Sequence, residues 1–301
     1  MEFNGVINVY KEAGFTSHDV VAKMRGILRQ KKIGHTGTLD PDAVGVLPIC
    51  LGRGTRLCDM LTDHDKVYEA VLRLGISTDT QDMSGTVLQE REVCVTKTEV
   101  EDCIATFVGE QMQIPPMYSA IKIGGKKLYE LAREGKEVER EARKVTFHEI
   151  TILSMDLPNV TIRVHCSKGT YIRTLCNDIG EKLGCGGCME KLLRTRVERF
   201  RLEDAKTLDE IRSMVEMGTI FDVIVPVDEM FSNCQAVYTT NIGDRLVHNG
   251  NSFSEEFIQM PEHEITHGTQ VRLYDSQETF IGIFEKKGHY FAPVKMFYQK
   301  P

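Results

Sequence analysis

The sequence predicts an α+β fold, with a mixed and largely antiparallel central sheet followed by a small β domain. Helical and extended patterns mix without the regular strand–helix repeat of an all-parallel sheet. Residues 66–74 and 159–167 alternate apolar and polar side chains, which is typical of half-buried strands. From about residue 236 onward the segments are short, β-forming and interrupted by turn signals such as Asn249-Gly250.

The N-terminal segments read as a strand and then a helix. Residues 5–10 form a short apolar run that predicts a strand, and Thr16 or Ser17 is a suitable helix cap. The helix that follows has apolar residues on one face, at Val20, Val21, Met24, Ile27 and Leu28. Residues 98–107 predict a second helix.

Asp40 lies in a segment that no regular element can cross. Gly34, Gly37, Pro41 and Gly45 recur every few residues, so the backbone must take an irregular path. The candidate donors that would keep its carboxylate ionised are the loop amides and the hydroxyls of Thr36 and Thr38. A fixed, ionised carboxylate serves as a nucleophile or base, whereas the alternative is an ordinary Asp-Pro turn.

Arg173 follows the strand at 159–167 and opens a helical apolar stripe over residues 172–183, for which Thr170 is the predicted N-cap. In the first turn of a helix the macrodipole disfavours a cation by about 0.3–1 kcal/mol. We therefore expect an anion beside Arg173 and nominate Asp40. The alternative is a solvated arginine whose stem covers apolar surface.

The last part of the first domain carries a helix signal and a connector. Thr207 and Glu210 form a capping box that opens a helix ending before Gly218. Residues 224–228 read as a connector into the second domain, in which residues 271–274 and 280–284 are predicted strands. The predicted domains are residues 1–230 and 231–301.

Charge is unevenly distributed along the chain. The 301 residues carry a formal net charge of −7, which argues against a broad nucleic-acid-binding surface. Residues 20–60, however, hold seven Lys and Arg against three Asp, a local excess to which a polyanion can dock. The segment from residue 232 onward is acidic, with six basic against eight acidic residues, so we expect it to make few phosphate contacts.

Secretion and membrane spanning are not expected. The N-terminus has neither a basic region nor an apolar run, and no window of about 18 apolar residues occurs. Nine cysteines, an odd number scattered over the chain, indicate reduced thiols and a cytoplasmic protein. Cys185 and Cys188 have the spacing of half a zinc site, but no matching second pair occurs, so we predict no metal.

Five ordered motifs resemble the bacterial tRNA pseudouridine synthases of the TruB type. They are GFTSHDVV at 14–21, GHTGTLDP at 34–41, KVY at 66–68, QIPPMYSAIK at 113–122 and CSKGTYIR at 166–173. The tail resembles a PUA domain, a small RNA-binding β-barrel. The chain departs from the family at Lys11-Glu12, where Lys-Pro is usual. The resemblance implies the pseudouridine synthase fold over residues 1–230 and a PUA-like barrel over residues 231–301.

The resemblance also implies an activity and a set of roles. The reaction is isomerisation of the uridine at position 55 of the tRNA T loop to pseudouridine, by base flipping and without a cofactor. Asp40 matches the catalytic aspartate, Tyr68 the tyrosine that stacks on the target base, and Arg173 the arginine that pairs with the aspartate. The remaining matched positions line the uridine pocket or the target-strand path, and they are His35, Tyr171 and Leu192. Attack at C1′, deprotonation at C2′ and addition at C6 all stay open.

The expected partner is the T-arm of tRNA, bound by a monomer with no protein partner. The residues expected to contact RNA are Arg25, Lys31, Lys32, Arg53, Lys122, Lys126 and Lys168. Three alternatives stay open. They are a non-catalytic tRNA-binding or tRNA-folding protein on the same scaffold, a glycosidase with a single aspartate, and an enzyme directed by a guide RNA.

Overall fold

The structure of the protein is a computed structural model that describes residues 2–259 and 263–300. In this part of the chain the strands are β1 (Gly5–Lys11), β2 (Ile33–His35), β3 (Val44–Leu51), β4 (Lys66–Leu74), β5 (Ile76–Thr78), β6 (Val87–Glu90), β7 (Gly109–Gln113), β8 (Lys122–Ile123), β9 (Lys126–Lys127), β10 (Arg143–Asp156), β11 (Asn159–Cys166), β12 (Gly187–Val197), β13 (Phe200–Arg201), β14 (Ile224–Val225), β15 (Gln235–Tyr238), β16 (Phe253–Ser254), β17 (Gln270–Tyr274), β18 (Phe280–Lys287) and β19 (Tyr290–Met296). The helices are α1 (Ser17–Leu28), α2 (Cys58–Thr62), α3 (Lys97–Ala105), α4 (Leu128–Arg133), α5 (Ile172–Lys182), α6 (Leu208–Met217) and α7 (Asn241–Val247).

A large sheet forms the body of the first part of the chain, in the order β14-β1-β3-β12-β4-β11-β10-β7. Two further strands join it, since β2 pairs with β3 and β13 pairs with β12. All its pairings are antiparallel except the short parallel contact of β12 with β3. The predicted mixed, largely antiparallel sheet is therefore confirmed.

The parallel contact brings two distant segments unusually close. Gly45 pairs with Arg194 and has φ +106°, a conformation that side chains rarely adopt. A Cβ built on Gly45 would overlap the backbone of Arg194, so only glycine permits this approach. As a result the irregular segment before β3 lies beside β12.

Helices cover the sheet as their sequences predict. Thr16 caps α1 and forms a capping box with Asp19, and the apolar face of the helix packs against β1 and β3. The α6 helix begins at the predicted Thr207–Glu210 box and ends at Gly218, which has the left-handed conformation. Helices α3 and α5 pack on β4, β10 and β11 in a separate apolar cluster. No helix in residues 2–259 and 263–300 is long and apolar enough to cross a membrane.

The C-terminal part of the chain contains a five-stranded sheet in the order β15-β17-β18-β19-β16, which confirms the small β domain. This domain also contains one short helix, α7, which the sequence did not predict. The Asn249-Gly250 turn signal lies just after that helix. Val46 of β3 and Ile283 of β18 belong to one apolar cluster, which also contains Leu57 and Phe297. The domain bounds at residues 230 and 231 stay a prediction.

Candidate active site

Asp40 lies in an irregular loop between β2 and β3, as its glycines and proline predict. Backbone hydrogen bonds fix the loop: Gly14 N–H donates to the Pro41 carbonyl at 3.0 Å and Leu39 N–H to Ser17 Oγ at 2.9 Å. The Asp40 side chain keeps 36% of its surface exposed, so the carboxylate is both fixed and accessible. These are the conditions that a reacting carboxylate needs.

A buried lysine bonds the backbone of the Asp40 loop. Lys11 is fully buried at the end of β1, and its Nζ donates to the carbonyls of Ala43 at 2.5 Å, Pro41 at 2.9 Å and Glu12 at 3.2 Å. Burial lowers the pKa of this ammonium to about 8, while Asp40 opposes the shift. Sequence reasoning missed this residue, whose only signal is a lysine that continues the buried strand pattern.

Arg173 faces Asp40 through two guanidinium nitrogens. Its Nε lies 3.0 Å from Asp40 Oδ2, and its Nη2 donates to Oδ1 at 3.3 Å. The remaining donors are also used, since Nη2 donates to the Tyr118 carbonyl at 2.8 Å and Nη1 to the Thr80 carbonyl at 3.1 Å. Asp82 lies 3.6 Å from Nη1. The predicted contact between Asp40 and Arg173 is therefore present in the structure, and it forms a two-point fork.

Two local predictions about this region were wrong. Thr170 does not cap α5, because its hydroxyl donates to the Ser167 carbonyl at 2.8 Å and the cap falls on Tyr171 instead. The hydroxyls predicted to donate to the Asp40 carboxylate are those of Thr36 and Thr38. Neither makes that bond in the described part of the chain, where the Thr36 hydroxyl is buried without a partner.

The pKa of Asp40 is raised above that of an ordinary aspartate. Burial is the main cause, and the charges of Asp82 and Asp42 add to it. The guanidinium of Arg173 and the ammonium of Lys11 act in the opposite direction without cancelling the shift. The carboxylate is thus less acidic than an ordinary aspartate, and its ionisation depends on both cations.

Tyr68 lies on β4 directly opposite Arg194 of β12. Arg194 is 1% exposed, and its Nε donates to the Val46 carbonyl at 2.7 Å. Burial raises the pKa of the Tyr68 phenol, and the charge and hydrogen bonding of Arg194 oppose that shift. Tyr68 shares an apolar cluster with Leu192 and with Leu39, the neighbour of Asp40. Sequence reasoning did not single out Arg194, because its burial follows from strand pairing.

Tyr171 and His35 are the two remaining predicted pocket residues. The Gln113 side chain bonds both the amide and the carbonyl of Tyr171, at 2.8 and 3.0 Å, and so fixes the start of α5. His35 lies in β2, where its Nδ1 accepts from Gly37 N–H at 3.3 Å and its ring packs edge-on against His18. Burial lowers the pKa of His35, so its imidazole is neutral at pH 7.

The basic residues expected to contact RNA differ in their surroundings. Arg25 donates to the carbonyls of Lys31 and Ile33, and these hydrogen bonds stabilise the turn after α1. Lys126 pairs with Glu134 at 3.0 Å and Lys168 with Asp63 at 2.9 Å. The side chains that remain at least partly exposed, with no ion pair in the described residues, are those of Lys31, Lys32, Arg53 and Lys122.

Comparisons with known proteins place the chain in a family. A sequence model described as "TruB family pseudouridylate synthase (N terminal domain)" matches residues 25–172, and one described as "tRNA pseudouridylate synthase B C-terminal domain" matches residues 173–232. The tRNA pseudouridine synthase B of Lachnoclostridium phytofermentans is 52% identical over 98% of this chain and 99% of its own. The enzyme of the same name from Bacillus anthracis is 43% identical over 93% and 92%.

Solved structures share the fold. A chain from a crystal structure of a Cbf5-Nop10-Gar1 complex has a TM-score of 0.72 and 27% identity, covering 98% of this chain and 85% of its own. A chain from an H/ACA RNP bound to a substrate RNA containing 2′-deoxyuridine has a TM-score of 0.71 and 25% identity over the same shares. With the sequence matches spanning nearly its full length, the chain belongs to the TruB family of pseudouridylate synthases.

Proposed function

We propose that this protein isomerises the uridine at position 55 of the tRNA T loop to pseudouridine, with Asp40 as the nucleophile. One observation carries the proposal: the solvent-accessible Asp40 carboxylate meets a two-point fork from Arg173, at 3.0 and 3.3 Å. The names of the curated relatives support tRNA as the substrate. A protein that only bound or refolded tRNA would have no need for this buried, hydrogen-bonded cation beside an accessible acid.

The reaction must break the bond from C1′ to N1, turn the uracil while it stays bound, and join C1′ to C5. C5 then loses its proton, and N1 carries one in the product. Asp40 is suited to attack C1′ or C6, or to take a proton from C2′, because each step needs an ionised carboxylate. Arg173 and Lys11 counter the rise in pKa that burial imposes on Asp40, so they favour the reactive form. No bound group is required for any of these steps.

Tyr68 offers an aromatic face for the flipped uracil, a contact worth about 1–3 kcal/mol in nucleic-acid complexes. Since burial raises the pKa of its phenol, the hydroxyl is protonated at neutral pH. This favours stacking as its main role over removal of the C5 proton. Leu192 and Tyr171 would line the pocket, and His35 would occupy space that the target base leaves.

tRNA would dock through exposed basic side chains near the site. We assign this role to Lys31, Lys32, Arg53 and Lys122, which are free of ion pairs among the described residues. Arg25, Lys126 and Lys168 would contribute less, because their side chains already bond to protein groups. The acidic C-terminal domain would act as an accessory contact. We expect a monomer that acts in the cytoplasm.

The test uses an unmodified tRNA transcript and maps pseudouridine at single-nucleotide resolution. Wild-type protein should modify position 55, and Asp40→Asn, which keeps the shape but removes the charge, should not. Binding of the transcript by Asp40→Asn should persist, which separates chemistry from docking. Modification by the variant at a rate near that of wild type would exclude Asp40 as the nucleophile, and modification of another position would exclude the proposed substrate site.

A further inference from the structure

Three metal-ligating side chains meet at one end of the large sheet, at a place distinct from the Asp40 loop. His148 Nε2 lies 3.1 Å and His165 Nε2 lies 3.7 Å from the same oxygen, Oδ2 of Asp65. The two imidazole rings are 4.7 Å apart between centroids. The three ligand atoms lie within 4.8 Å of one another, and all three side chains are partly exposed, so an ion has access to them.

Strand geometry directs the two histidines to the same face. His165 lies on β11 opposite Glu149 of β10, and the pairing shifts register between Phe147 and Glu149, so His148 is the extra residue of a β-bulge. Phe147 and Cys166 point into the core, which leaves His148 and His165 on the opposite face. Bulges re-aim side chains and recur near functional sites.

We propose that His148, His165 and Asp65 bind a divalent transition-metal ion, with zinc as the expected species. Two imidazoles and one carboxylate form a donor set that zinc prefers, whereas magnesium and calcium favour oxygen ligands. With zinc–ligand bonds of about 2.0–2.2 Å, the ligands of a tetrahedral ion lie about 3.4 Å apart. The observed separations of 3.1 and 3.7 Å lie on either side of that length.

A partly buried acid beside this cluster supplies independent support. Glu198 lines the same cleft as Asp65 and His165, and its Oε2 is buried with no hydrogen-bond partner in the described residues. A buried, unpartnered carboxylate oxygen is costly unless a cation or a bound water faces it. Arg196 and Arg199 also line the cleft and oppose any cation there, so the three ligands and Glu198 must outweigh this repulsion.

The ion would join three neighbouring segments of the sheet. Asp65 immediately precedes β4, while His148 and His165 belong to β10 and β11. Tyr68 lies three residues beyond Asp65 on β4, so the proposed site would stiffen the start of the strand that carries it. Because it lies outside the proposed catalytic group, its loss should leave pseudouridine formation measurable.

The test titrates the full-length protein, first freed of metals with a chelator, with Co²⁺ as a spectroscopic probe and then with Zn²⁺. We expect one Co²⁺ per chain, with visible ligand-field bands and no thiolate charge-transfer absorption, since cysteine is the competing ligand. Zn²⁺ should displace Co²⁺ and raise the melting temperature. His148→Ala and His165→Ala should each weaken affinity more than about 100-fold, because even second-shell partners are worth about 10- to 100-fold.

His64→Ala is the matched control, because His64 lines the same cleft but lies outside the three-ligand cluster. It should bind Co²⁺ as wild type does, and Glu198→Gln should bind more weakly. Each variant is checked for retained pseudouridine formation, so that a loss of binding is not a loss of folding. Failure of the wild type to bind Co²⁺, thiolate bands in the spectrum, or wild-type affinity in both histidine variants would overturn the proposal.

Discussion

The Arg173→Lys substitution tests whether the geometry of the guanidinium, and not its charge alone, supports Asp40. Lysine keeps the positive charge but has one nitrogen, so it cannot occupy both the Nε and Nη2 positions that contact Asp40 at 3.0 and 3.3 Å. A single ammonium at the Nη2 position keeps the contacts with Asp40 Oδ1 and the Tyr118 carbonyl but loses those with Asp40 Oδ2 and the Thr80 carbonyl. At least two of the four contacts are therefore lost.

The magnitude follows from those contacts. Hydrogen bonds to charged groups contribute about 1.5–3 kcal/mol each, so two lost contacts amount to about 3–6 kcal/mol. If this loss falls on the transition state, kcat decreases about 10²- to 10⁴-fold. The assay is single-turnover pseudouridine formation on a tRNA transcript, with the dissociation constant for tRNA measured in parallel and expected to stay unchanged.

Two further variants separate charge from shape. Arg173→Met removes the cation as well, so the pKa of Asp40 should rise further and the acid limb of the pH profile should move to higher pH. Arg163→Lys is the surface control, since Arg163 forks onto Glu69 at 2.8 and 3.2 Å but is about half exposed. The Arg163→Lys substitution should change the activation free energy by less than about 1 kcal/mol. The reasoning is refuted if Arg173→Lys retains kcat within about tenfold of wild type.

Three further changes probe the surroundings of the site. Lys11→Met removes the Nζ donor of three carbonyls, of which that of Pro41 keeps the Gly14 amide, and should lower the free energy of unfolding by about 3 kcal/mol, measured by urea denaturation. Asp82→Asn removes a charge that raises the pKa of Asp40, so the acid limb of kcat/KM should move to lower pH; an upward move contradicts the assignment. Reversing the charges of Lys31 and Lys32 should weaken tRNA binding and flatten its salt dependence by about one logarithmic unit per lost phosphate contact, whereas an unchanged slope in filter binding excludes them from the interface.

Elements with a strong local signal were predictable from the sequence. The alternating pattern at 66–74 coincides with β4, and the Thr207–Glu210 capping box marks the start of α6. Local chemistry sets both features, because pleat alternation and helix capping involve neighbours within a few residues. The pairing of Asp40 with Arg173 was also predictable, since a cation at a helix start needs an anion.

Features set by distant contacts were not predictable in the same way. Lys11 is buried because the Asp40 loop places carbonyls around it, and Arg194 is buried because β12 pairs with β4. Thr170 has the composition of a helix cap, but its hydroxyl bonds the carbonyl of Ser167 instead. The raised pKa of Asp40 depends on Asp82, which the pattern of the sequence does not bring to the site.

Three buried cations lie around the irregular loop that we propose carries the reaction. Lys11, Arg173 and Arg194 are at most 6% exposed, and burying three charges is costly. Backbone carbonyls supply much of the compensation, namely those of Glu12, Pro41, Ala43, Val46, Thr80 and Tyr118. Because carbonyls are neutral, they solvate these cations without cancelling their charge. The positive charges of Arg173 and Lys11 act on the accessible Asp40 carboxylate, which opposes the effect of its burial and favours the ionised form that the proposed reaction requires.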